Sequence, residues 1–340
     1  MTEGTETAAL LVLLRSARRP WRAYAELVEE RGSAVAILEE ELGDGLGSLP
    51  SRGQARLSPQ GPGSLPSPEQ ASLFSQGEES HSPPDPGSLL SPDPGSSSSP
   101  GAEELIGAAA AQVARWEAQG MDLLSVLDAR YPENLRAVHD RPPVIFVAGR
   151  LQPADARSIA VIGARSASQS ALRAAQVIAE HLVDHGYTVV SGLAAGIDTA
   201  AHTSALSRGG RTVAVIGTGL NRSYPLQNAA LQRRIATGCA VISQFLPDAP
   251  PSRRSFPMRN ATMSGVTLAT VVVEASQRSG ARTQARLALA HGRPVFLLSS
   301  VLAEPWAREC AARPGAHVVQ SPAQITAVVE RLTSSGALTA

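Results

Sequence analysis

The sequence predicts an α/β fold: an extended Rossmann-like, doubly wound, mostly parallel sheet, preceded by a small helical domain and a disordered linker. Two observations between residues 104 and 334 predict the sheet. Short apolar runs rich in Val and Ile recur along this region, and Ala- and Leu-rich stretches with helical periodicity separate them. Continuous apolar strands that alternate with helices are typical of a parallel sheet covered on both faces.

The N-terminal segment, residues 1–46, predicts two or three short helices that form a small helical domain. Leu residues cluster before a break at Pro20, and further apolar residues follow at helical spacing. Alone, so short a segment buries little apolar surface, so we expect it to dock on the rest of the chain. The first residues are acidic and the apolar run is too short to span a bilayer, which predicts a cytoplasmic protein without membrane contact.

Residues 47–103 predict a disordered linker. Ser, Pro and Gly make up more than half of this stretch, and short units such as Gly-Ser-Leu-Pro-Ser occur twice. Such a composition cannot bury enough apolar surface to offset the entropy of ordering the chain.

From residue 104 to 334 the elements follow one another as a Rossmann-like domain requires. The apolar runs predict strands at 122–127, 143–147, 159–162, 188–190, 212–216, 240–242, 268–273, 295–298 and 317–319. The main helices between and after these strands are expected at 169–185, 197–208, 227–237, 281–291 and 322–332.

Residues suited to binding anions follow the predicted strands at their carboxyl ends, where ligands of doubly wound sheets bind. Glycines let a backbone approach a phosphate closely, helix N-termini donate N–H groups, and arginines supply charge. The sequence contains no lysine, so guanidinium groups provide all basic side-chain charge. The candidates are Gly163, Arg165, Ser166, Gly192, Gly196, Gly217, Gly219, Arg222, Asn228, Ser279, Gly280 and Arg282.

The stretch 250–265 is predicted to be a loop between two buried strands, and it adds Phe256, Arg259 and Asn260 to the candidates. Loops of this length in compact domains are usually functional. Arginines bind phosphates while aromatic side chains stack on unpaired bases, so the combination favours a single-stranded nucleic acid.

Composition and motifs argue against several other classes of function. The formal net charge is zero, so any affinity for nucleic acid must come from a local patch. Gly163 begins no GxGxxG motif, no acidic residue closes the second strand of the core, and a Walker A motif is absent, which disfavours a nucleotide cofactor. Two cysteines without a metal-ligand pattern predict neither a disulfide scaffold nor a zinc site, so no metal is expected, and the missing nucleotide motifs predict no cofactor.

Several blocks together resemble the DNA-processing protein A family, also called Smf. They are SGLAAGID at 191–198, AVIGTGLNRSYP at 214–225, FPMRN at 256–260 and VVEASQRSGARTQAR at 272–286. The resemblance spans about 104–330. It implies a non-enzymatic single-stranded DNA-binding protein that dimerises and loads a RecA-type recombinase in natural transformation or recombination. The family's glycine-serine-arginine block falls on Gly163, Ala164 and Arg165.

Some positions depart from the family pattern. Ala164 replaces the usual serine, Ala261 stands where a second arginine is common, and nothing after about 334 is expected to form the family's C-terminal winged-helix domain. Two alternatives stay open. One is a nucleotide-processing enzyme of the phosphoribohydrolase-like Rossmann group, although its Pro-Gly-Gly-x-Gly-Thr-x-x-Glu block is missing. The other is a protein-interaction module that has lost DNA affinity.

Overall fold

A computed structural model describes residues 3–43 and 100–338 of the chain. The predicted linker lies outside the described residues except at 100–103, where a helix begins at Ala102.

Twelve α-helices and nine strands lie within the described residues. The helices are α1 Glu3–Ser16, α2 Trp21–Arg31, α3 Ala34–Gly43, α4 Ala102–Ala118, α5 Glu133–Arg136, α6 Gln169–Asp184, α7 Ile197–Ser207, α8 Ala229–Gly238, α9 Ser255–Val266, α10 Gly280–Ala290, α11 Pro305–Ala311 and α12 Pro322–Ser334. The strands are β1 Met121–Ser125, β2 Val144–Gly149, β3 Ser158–Ile162, β4 Thr188–Ser191, β5 Thr212–Val215, β6 Ala240–Ser243, β7 Ala269–Val272, β8 Val295–Leu298 and β9 Ala316–Val319.

The nine strands form one sheet in the order β1-β2-β6-β5-β4-β3-β7-β8-β9. Strands β3 to β9 pair in parallel, whereas β1 and β2 pair antiparallel with each other and β2 pairs antiparallel with β6. The predicted mostly parallel, Rossmann-like sheet is therefore confirmed. The chain runs from β3 to one side of the sheet and returns at β7 on the other side, so β3 and β7 flank the topological switch point.

Apolar side chains cover both faces of the sheet. One core joins β1, β2 and α4 with residues of α9 and α10, and a second core packs α6, α7 and α12 against β3, β4 and β7. Core strands such as β3 are buried along their whole length. This explains why the sequence shows unbroken apolar runs instead of the alternation of a half-exposed strand.

The N-terminal helices dock on the domain, as expected for a segment that is too short to bury a core alone. Helix α1 packs against α4, and its leucines belong to the same core as Trp116 and Phe146. The Arg141 guanidinium donates from Nε to the Glu29 carboxylate at 2.9 Å, which ties α2 to the loop before β2. No helix within 3–43 and 100–338 is long and apolar enough to cross a bilayer.

The prediction of a loop across 250–265 is wrong for its second part, because Ser255–Val266 forms α9. Pro257 lies in the first turn of this helix, where a missing backbone N–H costs no intrahelical hydrogen bond. Almost every residue from Arg259 to Val266 is buried. A helix buried on all sides shows no amphipathic period, so the usual sequence signal was absent.

Candidate nucleic-acid interface

A cavity of about 790 Å³ opens at the carboxyl ends of the parallel strands, at the switch point between β3 and β7. Gly163 follows β3 and Glu274 follows β7, and both line the cavity. The two loops lie so close that a Cβ at Gly163 would be 2.8 Å from the Glu274 carbonyl oxygen. Glycine at this position therefore allows the two halves of the sheet edge to meet, as doubly wound folds require at their ligand site.

More than half of the residues predicted as site residues meet around this cavity and a smaller one of about 70 Å³ beside it. The larger cavity is lined by Gly163, Arg165, Ser166, Phe256, Arg259, Asn260, Ser279 and Gly280. The smaller cavity adds Gly192 and Gly217. Residues of the 163–166, 191–198, 256–260 and 279–280 stretches are thus brought together, although they are far apart in sequence.

A cationic and aromatic ledge separates the two cavities. The guanidinium carbon of Arg165 lies 5.5 Å from the ring centroid of Phe256. The Tyr224 ring lies next to Phe256, with the two ring centroids 5.6 Å apart. Arg165 is exposed and both rings are half-buried, so the ledge presents a charge beside two partly accessible rings. Such an arrangement suits a phosphate next to unpaired bases.

Two N-terminal helix ends point to the same region. The Ser279 hydroxyl accepts a hydrogen bond from Ala281 N at 3.2 Å and caps α10. Helix α7 begins after Gly196, beside the loop that carries Arg165. The positive dipole ends of these helices favour anions.

Arg259, unlike Arg165, is an internal side chain. It is 7% exposed, and its Nη1 donates to the Val215 carbonyl at 3.0 Å. A Cβ at Gly192 would lie 1.6 Å from this Nη1, so only glycine leaves room for the guanidinium. Burial lowers the pKa of Arg259, and the nearby Asp198 carboxylate opposes that shift. Its guanidinium forms the floor between the two cavities, and a direct phosphate contact by Arg259 stays a prediction.

The buried Asp198 carboxylate holds the loop after β4 in place. It accepts hydrogen bonds from the backbone N–H groups of Gly192 at 3.1 Å and Ala194 at 3.2 Å. Burial raises the pKa of Asp198, while the Arg259 charge and these hydrogen bonds act in the opposite direction. Asp198 therefore braces the loop at the larger cavity, which its side chain helps to line.

Glu274 is likewise held by protein groups. Its carboxylate accepts hydrogen bonds from the Ser168 hydroxyl at 2.6 Å and from Ser168 N at 3.0 Å. These bonds fasten the loop after β7 to the start of α6. Arg165 and Arg278 are the exposed positive charges of the cavity wall, and the half-buried carboxylates of Glu274 and Glu304 oppose them.

Five predicted site residues do not line either cavity in the described part of the chain. Asn228 is buried, and its amide donates to the Leu193 carbonyl at 2.8 Å and the Thr199 hydroxyl at 2.9 Å. A Cβ at Gly219 would lie 2.1 Å from the Leu246 carbonyl oxygen, so this glycine serves loop packing. The others are Gly196, which opens α7, Arg222, whose Nε donates to the Asp248 carbonyl, and Arg282, which lines a separate groove. DNA contacts by these five stay predictions.

Sequence reasoning missed part of the cavity wall. Ser300 and Glu304 follow β8 and line the cavity, and Gln284 and Met263 reach it from α10 and α9. The rule that ligands bind beyond the carboxyl ends of strands would have found Ser300, because β8 itself was predicted. Met263 could not be found, since its helix was predicted as a loop.

His202 is buried beneath the site and is uncharged at neutral pH. The Thr212 hydroxyl donates to the Val189 carbonyl, so it accepts a hydrogen bond from Nδ1 of His202 at 2.7 Å. Burial lowers the pKa of His202 to about 3 from its ordinary value of 6.5. The side chain is packed and hydrogen-bonded, and it is not among the residues that line the two cavities.

This pKa predicts a pH-dependent loss of stability. The unfolded chain binds a proton at His202 below about pH 6.5 but the folded chain does so only near pH 3, so stability present at neutral pH is lost as the pH falls between these values. We expect His202 alone to remove about 2 kcal/mol by roughly pH 5. Urea unfolding of the protein and of His202→Gln should show the stability difference between them shrinking by this amount. A difference that stays constant with pH would contradict the assignment.

One cluster of potential metal ligands lies away from the cavity wall: His139, Asp140 and His291. Nε2 of His291 lies 2.7 Å from the Asp140 carboxylate, and its Nδ1 lies 2.9 Å from the Ser264 hydroxyl. This pairing lowers the pKa of Asp140, against the effect of its burial. Both ring nitrogens are thus used to join α9 and α10 to the loop before β2.

A family model described as DNA recombination-mediator protein A matches residues 122–333. Among curated proteins, the DNA processing protein DprA of Streptococcus pneumoniae is 35% identical over 209 residues, which cover 62% of this chain and 72% of that protein. The Smf protein of Escherichia coli is 38% identical over 198 residues, which cover 57% of this chain and 53% of that protein. The chain thus spans only about half the length of the E. coli relative.

Solved structures show the same fold. The X-ray structure of DNA processing protein A from S. pneumoniae superposes with a TM-score of 0.58 at 33% identity, covering 66% of this chain and 81% of that one. DNA processing protein A from Helicobacter pylori, solved to describe its single-stranded DNA binding mode, gives a TM-score of 0.55 at 24% identity and covers 62% and 96% of the two chains.

Proposed function

The chain belongs to the DNA recombination-mediator protein A family, and from this premise we propose that it binds single-stranded DNA at the 790 Å³ cavity and its ledge. The observation that carries the proposal is the ledge itself, where the exposed Arg165 lies over Phe256 with Tyr224 alongside. The guanidinium would hold a phosphate while the rings stack on bases, and stacking contributes roughly 1–3 kcal/mol per base. Paired bases expose no such faces, so single strands are preferred over duplex.

Phosphates next to the stacked bases would be held by the backbone. The N–H groups at the start of α10 and the glycine-containing loop of Gly163 border the cavity next to Arg165. Neither provides base-specific contacts, so we expect binding with little sequence preference. The H. pylori protein, which shares the fold, binds single-stranded DNA.

The proposal extends to the role of the complex. Family membership supports recombination mediation. We propose that the chain acts by binding and without catalysis, works in the cytoplasm as a homodimer, and passes the bound strand to a RecA-type recombinase during DNA uptake or recombination. Release of base from nucleoside monophosphates would instead support the alternative of a phosphoribohydrolase-like enzyme.

Replacing Arg165 with Ala tests the ledge. We expect the plot of log affinity against log salt concentration to become less steep by about 0.7, the value for one lost phosphate contact on a single strand. At about 0.1 M salt this corresponds to roughly fivefold weaker binding, before any loss of stacking is added. The measurement is fluorescence anisotropy with a labelled oligothymidylate, with a duplex of equal length as competitor.

Arg173→Ala is the matched control, because Arg173 is an exposed arginine on α6 that lines neither cavity. It changes the net charge by the same amount, so its salt slope should stay close to that of the unmodified protein. Equal slopes for both variants, or equal affinity for duplex and single strand, would overturn the proposed site.

A further inference from the structure

A second basic surface lies beside the cavity, between α10 and α11. Four exposed arginines line a groove of about 420 Å³ here: Arg278, Arg282, Arg286 and Arg313. Within the described residues none of the four forms an ion pair, and the one carboxylate that lines the groove is Glu309. The groove therefore presents a surplus of three positive charges in a protein whose formal net charge is zero.

The groove is continuous with the cavity, since Arg278 and Ser279 line both. The cavity itself has little surplus charge, because Arg165 and Arg278 share its wall with Glu274 and Glu304. A strand bound only in the cavity would leave its flanking phosphates unneutralised. The neighbouring groove supplies the charge that the cavity lacks.

The groove can contact phosphates but not bases. Its aromatic residue, Trp306, is 2% exposed and donates from Nε1 to the Ala275 carbonyl at 3.4 Å, so its ring face is not free for stacking. Arg282 and Arg286 lie on the same face of α10 at i,i+4 spacing, with Arg313 beyond α11. Guanidinium groups without aromatic partners bind a sugar-phosphate backbone regardless of its sequence.

From these observations we infer that the α10–α11 groove is a second, backbone-only subsite, along which single-stranded DNA continues after leaving the cavity. The inference rests on the proposed function and adds the path of the strand. The cavity and ledge hold bases and a phosphate, and the groove neutralises the phosphates that follow.

The test compares oligothymidylates of roughly 6 and 20 nucleotides, which bracket the site sizes of compact single-strand binders. The variant carries Arg282→Gln, Arg286→Gln and Arg313→Gln. We expect its salt slope on the long strand to be less steep by about 2, which is about 100-fold weaker binding near 0.1 M salt. On the short strand, which leaves few phosphates beyond the cavity and ledge, the variant should bind almost as the unmodified protein does.

A control variant removes three exposed arginines that line neither the cavities nor the groove, by Arg173→Gln, Arg233→Gln and Arg331→Gln. This control should bind the long strand more tightly than the short strand by the same factor as the unmodified protein does. Thermal melting of both triple variants checks that they fold. A long strand whose flanking nucleotides are abasic should keep the same gain, because the groove contacts no bases.

The outcomes separate the two proposals. If the groove variant and the control variant bind the long strand equally, the groove is no DNA subsite, even where Arg165→Ala still weakens both strands. If the gain with length requires bases, the backbone-only contact is wrong. If Arg165→Ala leaves the short strand unaffected, the proposed function fails at the cavity, whatever the groove does.

Discussion

Replacing Arg259 with Met is expected to lower the free energy of unfolding by about 2–3 kcal/mol, because it removes the cation that offsets the burial of the nearby Asp198 carboxylate. Asp198 lies beneath the loop after β4, and Arg259 is the charged group that opposes the increase of its pKa on burial. The substitution also removes the hydrogen bond from Nη1 to the Val215 carbonyl. Urea unfolding at neutral pH measures the effect.

Arg165→Met is the matched control, since it makes the same substitution at an exposed arginine of the same site. Surface substitutions of this kind usually change stability by no more than about 0.5 kcal/mol. The double variant Arg259→Met with Asp198→Asn should lose less stability than the two single variants lose together, by about 1–3 kcal/mol, because the two groups are coupled. Similar losses for Arg259→Met and Arg165→Met, or a double-variant loss equal to the sum of the two single losses, would contradict this internal coupling.

Arg165 and Arg259 together separate a direct DNA contact from a structural role in holding the site. The sequence predicts that both bind DNA, but Arg165 is exposed and Arg259 is buried. Under conditions where the Arg259 variant is fully folded, its salt slope should therefore change less than that of the Arg165 variant. An equal change would restore the predicted direct phosphate contact by Arg259.

Replacing Gly196 with Ala is expected to cost about 3 kcal/mol or more, because two separate effects oppose a side chain there. Gly196 has φ +78° and ψ −122°, a backbone conformation that residues with a Cβ rarely adopt. The added Cβ would also lie 2.3 Å from the Ala164 carbonyl oxygen and 2.5 Å from that of Arg165. The loop that carries Arg165 would have to move, so we expect DNA affinity to fall together with stability.

Gly280→Ala is the control for this prediction. Gly280 also begins a helix at the cavity and was likewise predicted as a site residue, but a Cβ there would meet no atom within 4 Å among the described residues. Alanine is favoured over glycine inside a helix by up to about 1 kcal/mol, so this variant should be equally or slightly more stable. Equal destabilisation at both positions would show that Gly196 has no special role.

The sequence was sufficient for the sheet and its ligand-binding edge. Each core strand is a short apolar run that the chain marks locally, as in Val295–Leu298, and the glycines that follow the strands are equally local signals. The parallel arrangement follows because strands separated by helices must return in the same direction. The family resemblance added the expected DNA partner, and the family is confirmed by the match over 122–333.

Prediction from the sequence failed where complete burial of a helix removed its hydrophobic periodicity. The buried helix α9 shows no hydrophobic period, so residues 255–266 resembled a functional loop rich in Arg, Phe and Asn. Likewise, the i,i+4 spacing of Arg282 and Arg286 is compatible with a solvated helix face as well as with a DNA contact. The groove forms only because α11 packs against α10 in the folded chain, which brings Arg313 to the same surface as Arg282 and Arg286.

By itself, the sequence determined that this chain forms a mostly parallel α/β sheet with glycine- and arginine-containing loops at its carboxyl edge, because the strand and turn signals lie within a few residues of each other. The tertiary structure alone decided which arginines face solvent. Arg165 and Arg259 are chemically identical, but Arg259 lies over Gly192, donates to the Val215 carbonyl and is influenced by the Asp198 charge, whereas Arg165 extends over Phe256 into solvent. Those partners are distant in the chain, and the direction of a charged side chain depends on the distant groups that compensate its burial.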